Sequence, residues 1–164
     1  MDHVELTRDP IDVGAAYARV VDPACGGVCV FVGTTRDLHD GRPVEELSYE
    51  AYEAMAQGEL EALARSLRER FPALVKVVLI HRLGVVPLGE ASVLIATSTP
   101  HRPEAFASCR AGIDELKARV PIWKKESYRD GAAPAWVSNK ESLVPDPSRD
   151  ANEDAPAPGL RASQ

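Results

Sequence analysis

The chain is poor in cysteine, and its cysteines are not arranged for binding. Cys25, Cys29 and Cys109 are an odd number without a CxxC pair, which disfavours a disulfide framework or a zinc site. Cys25 and Cys29, if both extended, lie about 13 Å apart, too far to share a metal or a bridge. Three buried thiols and no metal are expected. A basic excess is also missing, since 25 Asp and Glu outweigh 19 Lys and Arg for a net charge of -6. A surface that neutralises nucleic-acid phosphates normally shows the opposite balance, so no nucleic-acid partner is expected. No apolar run approaches the roughly 20 residues of a membrane-spanning helix. Residues 1–5, MDHVE, carry neither the basic nor the apolar region of a secretory signal. A cytoplasmic protein without membrane association is expected. Walker loops, GxGxxG, HExxH and GxSxG are absent, as are internal repeats, so the familiar nucleotide and hydrolase chemistries lack support.

What is present is enough apolar sequence, 45% of 164 residues, for one globular domain with a sizeable core. From Pro145 onward the composition turns to Pro, Asp, Ala and Ser, with Leu160 as the single large apolar residue after Val144. Such a segment buries too little surface to order itself. The expected division is a domain over residues 1–142 and a disordered Pro/Ala/Asp-rich tail over 143–164.

Within the domain, residues 4–7 start a strand, and Asp9-Pro10 reads as an N-cap with proline at N1 of a short helix ending near Val21. Residues 26–33, a glycine-bounded apolar run, read as a central strand buried on both faces. A polar loop follows over 38–43, with Asp40-Gly41 as its turn, and then a strand over 44–52. Residues 54–71 form the clearest amphipathic helix, with Leu60, Leu63, Leu67 and Phe71 on one side. Two strands, 75–83 and 91–97, flank a segment at 84–90 whose proline and glycines suit a turn or bulge. A helix over 103–120 carries the apolar stripe Phe106, Cys109, Ile113 and Leu116. This pattern predicts an α+β domain with a mixed, mainly antiparallel sheet and packed helices.

The informative stretch is Pro121-Ile122-Trp123-Lys124-Lys125-Glu126, close behind Lys117. At roughly 100° per residue Lys117 falls within about 20° of Phe106, on the core side of its helix. Burial and neighbouring cations push a lysine toward the neutral amine used in acid-base and nucleophilic chemistry. The alternative is a lysine that snorkels along the helix end, where a cation complements the dipole. His101 and Arg102 stand at the start of the same helix, where orphan N–H groups and the dipole favour an anion such as a phosphate or carboxylate. There too a plainer reading holds, with Arg102 solvated and His101 in a hydrogen-bonded turn. His81-Arg82, at a strand end, is read as structural, with His81 satisfying a buried carbonyl.

Taken in order, Phe31-Val32-Gly33-Thr34-Thr35-Arg36, Leu47-Ser48-Tyr49-Glu50-Ala51-Tyr52, His81-Arg82-Leu83-Gly84, Pro100-His101-Arg102, Leu116-Lys117 and the segment 121–126, followed by Trp136-Val137, resemble the large, catalytic subunit of molybdopterin synthase. The likeness runs from about residue 4 to residue 140. It implies an α/β hammerhead-like fold and a sulfurtransferase that converts cyclic pyranopterin monophosphate into molybdopterin by installing the two dithiolene sulfurs. The implied donor is the C-terminal thiocarboxylate of a small ubiquitin-like carrier ending in Gly-Gly. This chain ends Arg161-Ala162-Ser163-Gln164, so the carrier is expected to be a separate protein. The resemblance further implies a homodimer with one carrier per large subunit, a heterotetramer, and no cofactor. It makes Lys117 and Lys124 the catalytic residues and Arg36, His101 and Arg102 substrate-binding. Lys140 falls where a basic residue, often arginine, is lent across the dimer interface, and lysine there loses the planar fork of a guanidinium. Lys125 is expected at the surface. Two alternatives are a non-catalytic adaptor that keeps the carrier-docking surface, and a phosphate-ligand binding domain that uses the helix start before Glu104.

Overall fold

The computed structural model describes residues 2–137; Lys140 and the 143–164 tail lie outside them. The order of elements is β1 (His3–Thr7), α1 (Val13–Val20), β2 (Gly27–Thr34), β3 (Leu38–His39), β4 (Arg42–Ala51), α2 (Glu53–Arg70), β5 (Lys76–Arg82), β6 (Gly84–Pro87), β7 (Ala91–Thr99), α3 (Arg102–Arg119), β8 (Ile122–Tyr128) and β9 (Ala135–Val137). They build two sheets. The first runs β1-β5-β7-β2, with β1 parallel to β5 and the other pairs antiparallel. The second runs β3-β4-β8-β9, with β6 added beside β4 and every pair antiparallel. The expected mixed, mainly antiparallel α+β architecture is what forms.

The first sheet is covered on both faces, and its central strands β5 and β7 are correspondingly buried almost throughout. The run at 26–33, expected as a central strand, instead supplies the edge strand β2, which is mostly only partly buried. Side chains alternate across a strand, so Val77 and Leu79 of β5 and Ile95 of β7 meet Leu60, Leu63 and Leu67 of α2 and Cys109 and Ile113 of α3. Their neighbours Val78, Ile80, Leu94 and Ala96 meet Ala16 and Val20 of α1 on the other side. Leu60, Leu63 and Leu67 are fully buried, each contributing roughly 1.5–3 kcal/mol by leaving water.

Several local expectations are corrected. The N-cap of α1 is Asp12, whose carboxylate accepts the Ala15 N–H at 2.9 Å; Asp9-Pro10 precedes it, and Ile11 packs beside the α1 core. Residues 84–87 form β6, because β4 offers it a ladder from Tyr49–Gly84 to Glu46–Pro87. The polar loop 38–43 is a tight hairpin, with Asp40 and Gly41 at φ 48° and 78°, the left-handed pair a two-residue hairpin turn needs. The stripe on α3 is shifted: Phe106 is 63% exposed, while Ala105, Ser108, Cys109, Gly112 and Leu116 are buried. The reason is proximity to the sheet. A Cβ on Gly112 would come within 2.9 Å of the Ile95 side chain, so small residues face β7 and the phenylalanine turns outward. Cys109 alone of the three cysteines is buried; Cys25 and Cys29 are partly exposed.

Candidate functional site

The end of α3 and the face of β8 border a cavity of about 210 Å³ between the two sheets. Lys117 enters it from the last turn of α3 and Lys124 from β8, while Arg36 reaches it from the link between β2 and β3. Lys117 is half-buried and Arg36 exposed. The strand assignment of residues 122–128 decides which lysine of the pair faces inward. Alternation sends Lys124, Glu126 and Tyr128 to one face and Trp123 and Lys125 to the other. Lys125 accordingly lies 5.6 Å from the Trp136 ring centre, and Trp123 meets Tyr52 edge-on at 5.3 Å, away from the cavity.

Glu126 is the residue that sequence reasoning missed. Its side chain is 2% exposed, and its Oε1 lies 3.2 Å from Lys124 Nζ. On the other oxygen, Oε2, the Tyr128 hydroxyl donates at 3.0 Å and His39 Nδ1 sits at 2.9 Å. A buried carboxylate is tolerated only when its charge is compensated, and here a lysine, an imidazole and a phenol compensate it. The available signal was Glu126 two residues after Lys124, which becomes a shared face only once the segment is read as a strand.

His81 also borders the cavity, although the sequence reading set it aside. It is buried, and its Nδ1 lies 2.9 Å from the Arg82 carbonyl oxygen. A carbonyl only accepts, so Nδ1 carries the proton and Nε2 is left as an acceptor. Burial pushes the His81 pKa down to about 4, against the partial opposition of the Arg82 carbonyl. The ring is therefore neutral at pH 7. Tyr49 stands edge-on to it at 5.1 Å, and burial raises the phenol above its ordinary range. In the core under α3, burial and then Cys29 push the Cys109 thiol up to about 12, which keeps it protonated and unreactive.

Within one chain, His101 and Arg102 do not join this cavity. They are exposed at the start of α3, and at about 1.5 Å per residue the helix carries them roughly 22 Å from Lys117. Their placement is fixed by Gly26 and Gly27. The Gly26 N–H donates to the Pro100 carbonyl at 3.2 Å, and a Cβ on Gly27 would lie 2.9 Å from the Arg102 nitrogen. The same first turn holds the acidic Glu104. Among the described residues no three His, Cys, Asp or Glu side chains gather as a metal site would require, and no helix is long and apolar enough to cross a membrane.

The sequence model of the family described as MoaE protein matches residues 6–119. The chain belongs to the MoaE family. A molybdopterin synthase catalytic subunit from Drosophila willistoni is 52% identical over 145 residues, covering 88% of this chain and 39% of that protein. The chain thus spans about two fifths of the length of the curated relatives it matches. Among solved structures, the molybdopterin synthase of Staphylococcus aureus superposes with a TM-score of 0.77 at 34% identity, covering 84% of this chain and 98% of that one. A molybdopterin cofactor biosynthesis protein E from Burkholderia multivorans gives a TM-score of 0.70 at 36% identity, covering 85% and 89%. The MoaE fold therefore accounts for the two-sheet arrangement around the cavity.

Proposed function

We propose that this chain is a molybdopterin synthase catalytic subunit, a sulfurtransferase that converts cyclic pyranopterin monophosphate into molybdopterin. The observation that carries the proposal is the convergence of Lys117 and Lys124, from a helix end and a strand, on one cavity that Arg36 also borders. The reaction needs cations, because the substrate bears a phosphate and the donor is an anionic thiocarboxylate, and a chain of net charge -6 must gather them locally. Arg36 binds the anionic substrate. Lys117 stabilises the charge that develops at the attacked thiocarboxylate or transfers a proton there, and Lys124 serves the acid-base steps on the pterin. Glu126 holds the Lys124 ammonium at the cavity wall.

The sulfur donor in this reading is a small ubiquitin-like carrier whose Gly-Gly C-terminus enters the cavity. The chain acts as a homodimer within a heterotetramer in the cytoplasm. His101 and Arg102, remote from Lys117 in one chain, serve the substrate phosphate in the cavity of a second copy, and Lys140 is lent in the same way. The test is reconstitution of the purified chain with thiocarboxylated carrier and cyclic pyranopterin monophosphate, followed by assay of the dithiolene product. Product that requires both carrier and Lys117 supports the proposal. Carrier binding by a folded dimer without product would move the reading to a docking adaptor, and phosphate binding without carrier affinity to a ligand-binding domain.

A further inference from the structure

The two oxygens of the buried Glu126 carboxylate have separate duties. Oε1 faces Lys124 at 3.2 Å, while Oε2 faces His39 at 2.9 Å and the Tyr128 hydroxyl at 3.0 Å. Tyr128 and Lys124 belong to the same strand as Glu126. His39 does not: it comes from β3, the two-residue arm of the hairpin that turns at Asp40 and Gly41. From these contacts we infer that His39 is a positioning residue for Lys124, acting through Glu126. The inference rests on the proposed role of Lys124 in the cavity.

The physical argument starts from the freedom of the glutamate. Its terminal torsion is broad, so the carboxylate plane is set by its partners and not by a rotamer well. With the Tyr128 hydroxyl donating to Oε2 and the His39 imidazole against the same oxygen, the plane is held and Oε1 is presented to the ammonium. The imidazole Nδ1, 2.9 Å from Oε2, is an ion-pair partner of the carboxylate when the ring is protonated. His39 is 19% exposed and Glu126 2%, so the imidazole also separates the carboxylate from solvent. Asp40, 3.9 Å from His39 Nε2, offers a second acidic neighbour to the ring. The hairpin is held at its other arm as well, where the Arg42 guanidinium lies 3.6 Å above the Tyr128 ring and 3.3 Å from Asp130. Leu38, beside His39 on β3, borders the cavity with Lys124. One contact therefore seats the cavity rim and orients the lysine together.

The experiment compares His39→Leu, His39→Gln and His39→Asn in the full chain. Asparagine returns an N–H near the site of Nδ1, whereas glutamine reaches toward the site of Nε2 and keeps the rim polar. The direct readout is the side-chain carbon resonance of Lys124 in lysine-labelled protein, assigned by its loss in Lys124→Arg. Leucine and glutamine are expected to move that resonance, and asparagine to restore it. In the sulfur-transfer assay, leucine and glutamine should lower kcat about tenfold with KM changed less than twofold, and asparagine should recover most of the loss. An unmoved Lys124 resonance in folded His39→Gln overturns the inference, whatever the assay shows. If instead the resonance moves while Lys124→Ala turns over normally, the positioning stands and the catalytic role of Lys124 falls.

Discussion

Lys117 and Lys124 approach one cavity from opposite ends of a chain reversal, the first on the last turn of α3 and the second on the strand that follows. Pro121 lies between these elements, and the Ile122 N–H turns back to the Val120 carbonyl at 2.8 Å. Two cations are thereby held on rigid elements and not on a loop. Each is expected to be needed for turnover. Lys117→Ala and Lys124→Ala should each lower kcat about a hundredfold, the lower range for loss of a positioned acid or base, with carrier affinity within a few-fold of the wild type. Turnover per folded protein, measured beside a titration of the carrier, checks this, and normal turnover in either variant removes that lysine from the mechanism.

His81 makes stability depend on pH. In the unfolded chain it takes up a proton as the pH falls through its ordinary 6.5, whereas in the fold burial holds it neutral down to about 4. The unfolded state therefore binds more protons in that window. The contribution is fully present above pH 6.5 and is lost progressively as the pH falls toward 4, by about 3 kcal/mol in all. Urea unfolding of wild type and His81→Asn between pH 7.5 and 4 measures it: the wild type should lose about that much more than the variant. Parallel losses would show that His81 does not titrate this way.

Two glycines predict opposite outcomes for the same substitution. Gly27→Ala puts a methyl 2.9 Å from the backbone nitrogen of Arg102, and neither β2 nor the start of α3 can yield without moving the other. A loss of about 1–3 kcal/mol is expected. Gly58 is exposed within α2, and an added methyl there meets nothing within 4 Å. Gly58→Ala should gain about 0.5–1 kcal/mol from helix propensity and a less flexible unfolded chain. Chemical denaturation of the two variants side by side reads both signs.

The N-cap of α1 supplies a smaller test. Asp12→Ala removes the acceptor of the Ala15 N–H and should cost about 1 kcal/mol, while Asp12→Asn should retain most of the stability. Asp9→Ala, aimed at the cap expected from sequence, should cost less than Asp12→Ala, and denaturation midpoints rank the three.

How far the sequence could be read depended on the range of the interactions involved. Leu60, Leu63 and Leu67 announce their helix through local period, and Asp40-Gly41 announces its hairpin through backbone preference. β6 is different, since Gly84–Pro87 becomes a strand only because Tyr49 and its neighbours on β4 are there to pair with it. Phe106 was misplaced because helix periodicity marks an apolar residue without saying that the sheet lies too close to admit it. In the candidate site, Lys117, Lys124 and Arg36 stood in recognisable runs. Glu126 stood in the same run as Lys124 but without a role of its own, and His39 in none, because their meaning lies in a contact between a hairpin and a strand far apart in sequence.

The register of the first sheet also orders events in time. His3 pairs with Val78, and Gly27 pairs with Thr99, so the two outer strands wait for partners 75 and 72 residues further along the chain. Closure of such distant ends is slow compared with forming α2, a local structure. During synthesis the apolar run of β2 must wait, unpaired, for β7. The Lys117 cavity, bordered by Val93 of β7 and Lys124 of β8, therefore cannot close until β7 and β8 have joined the strands made before them.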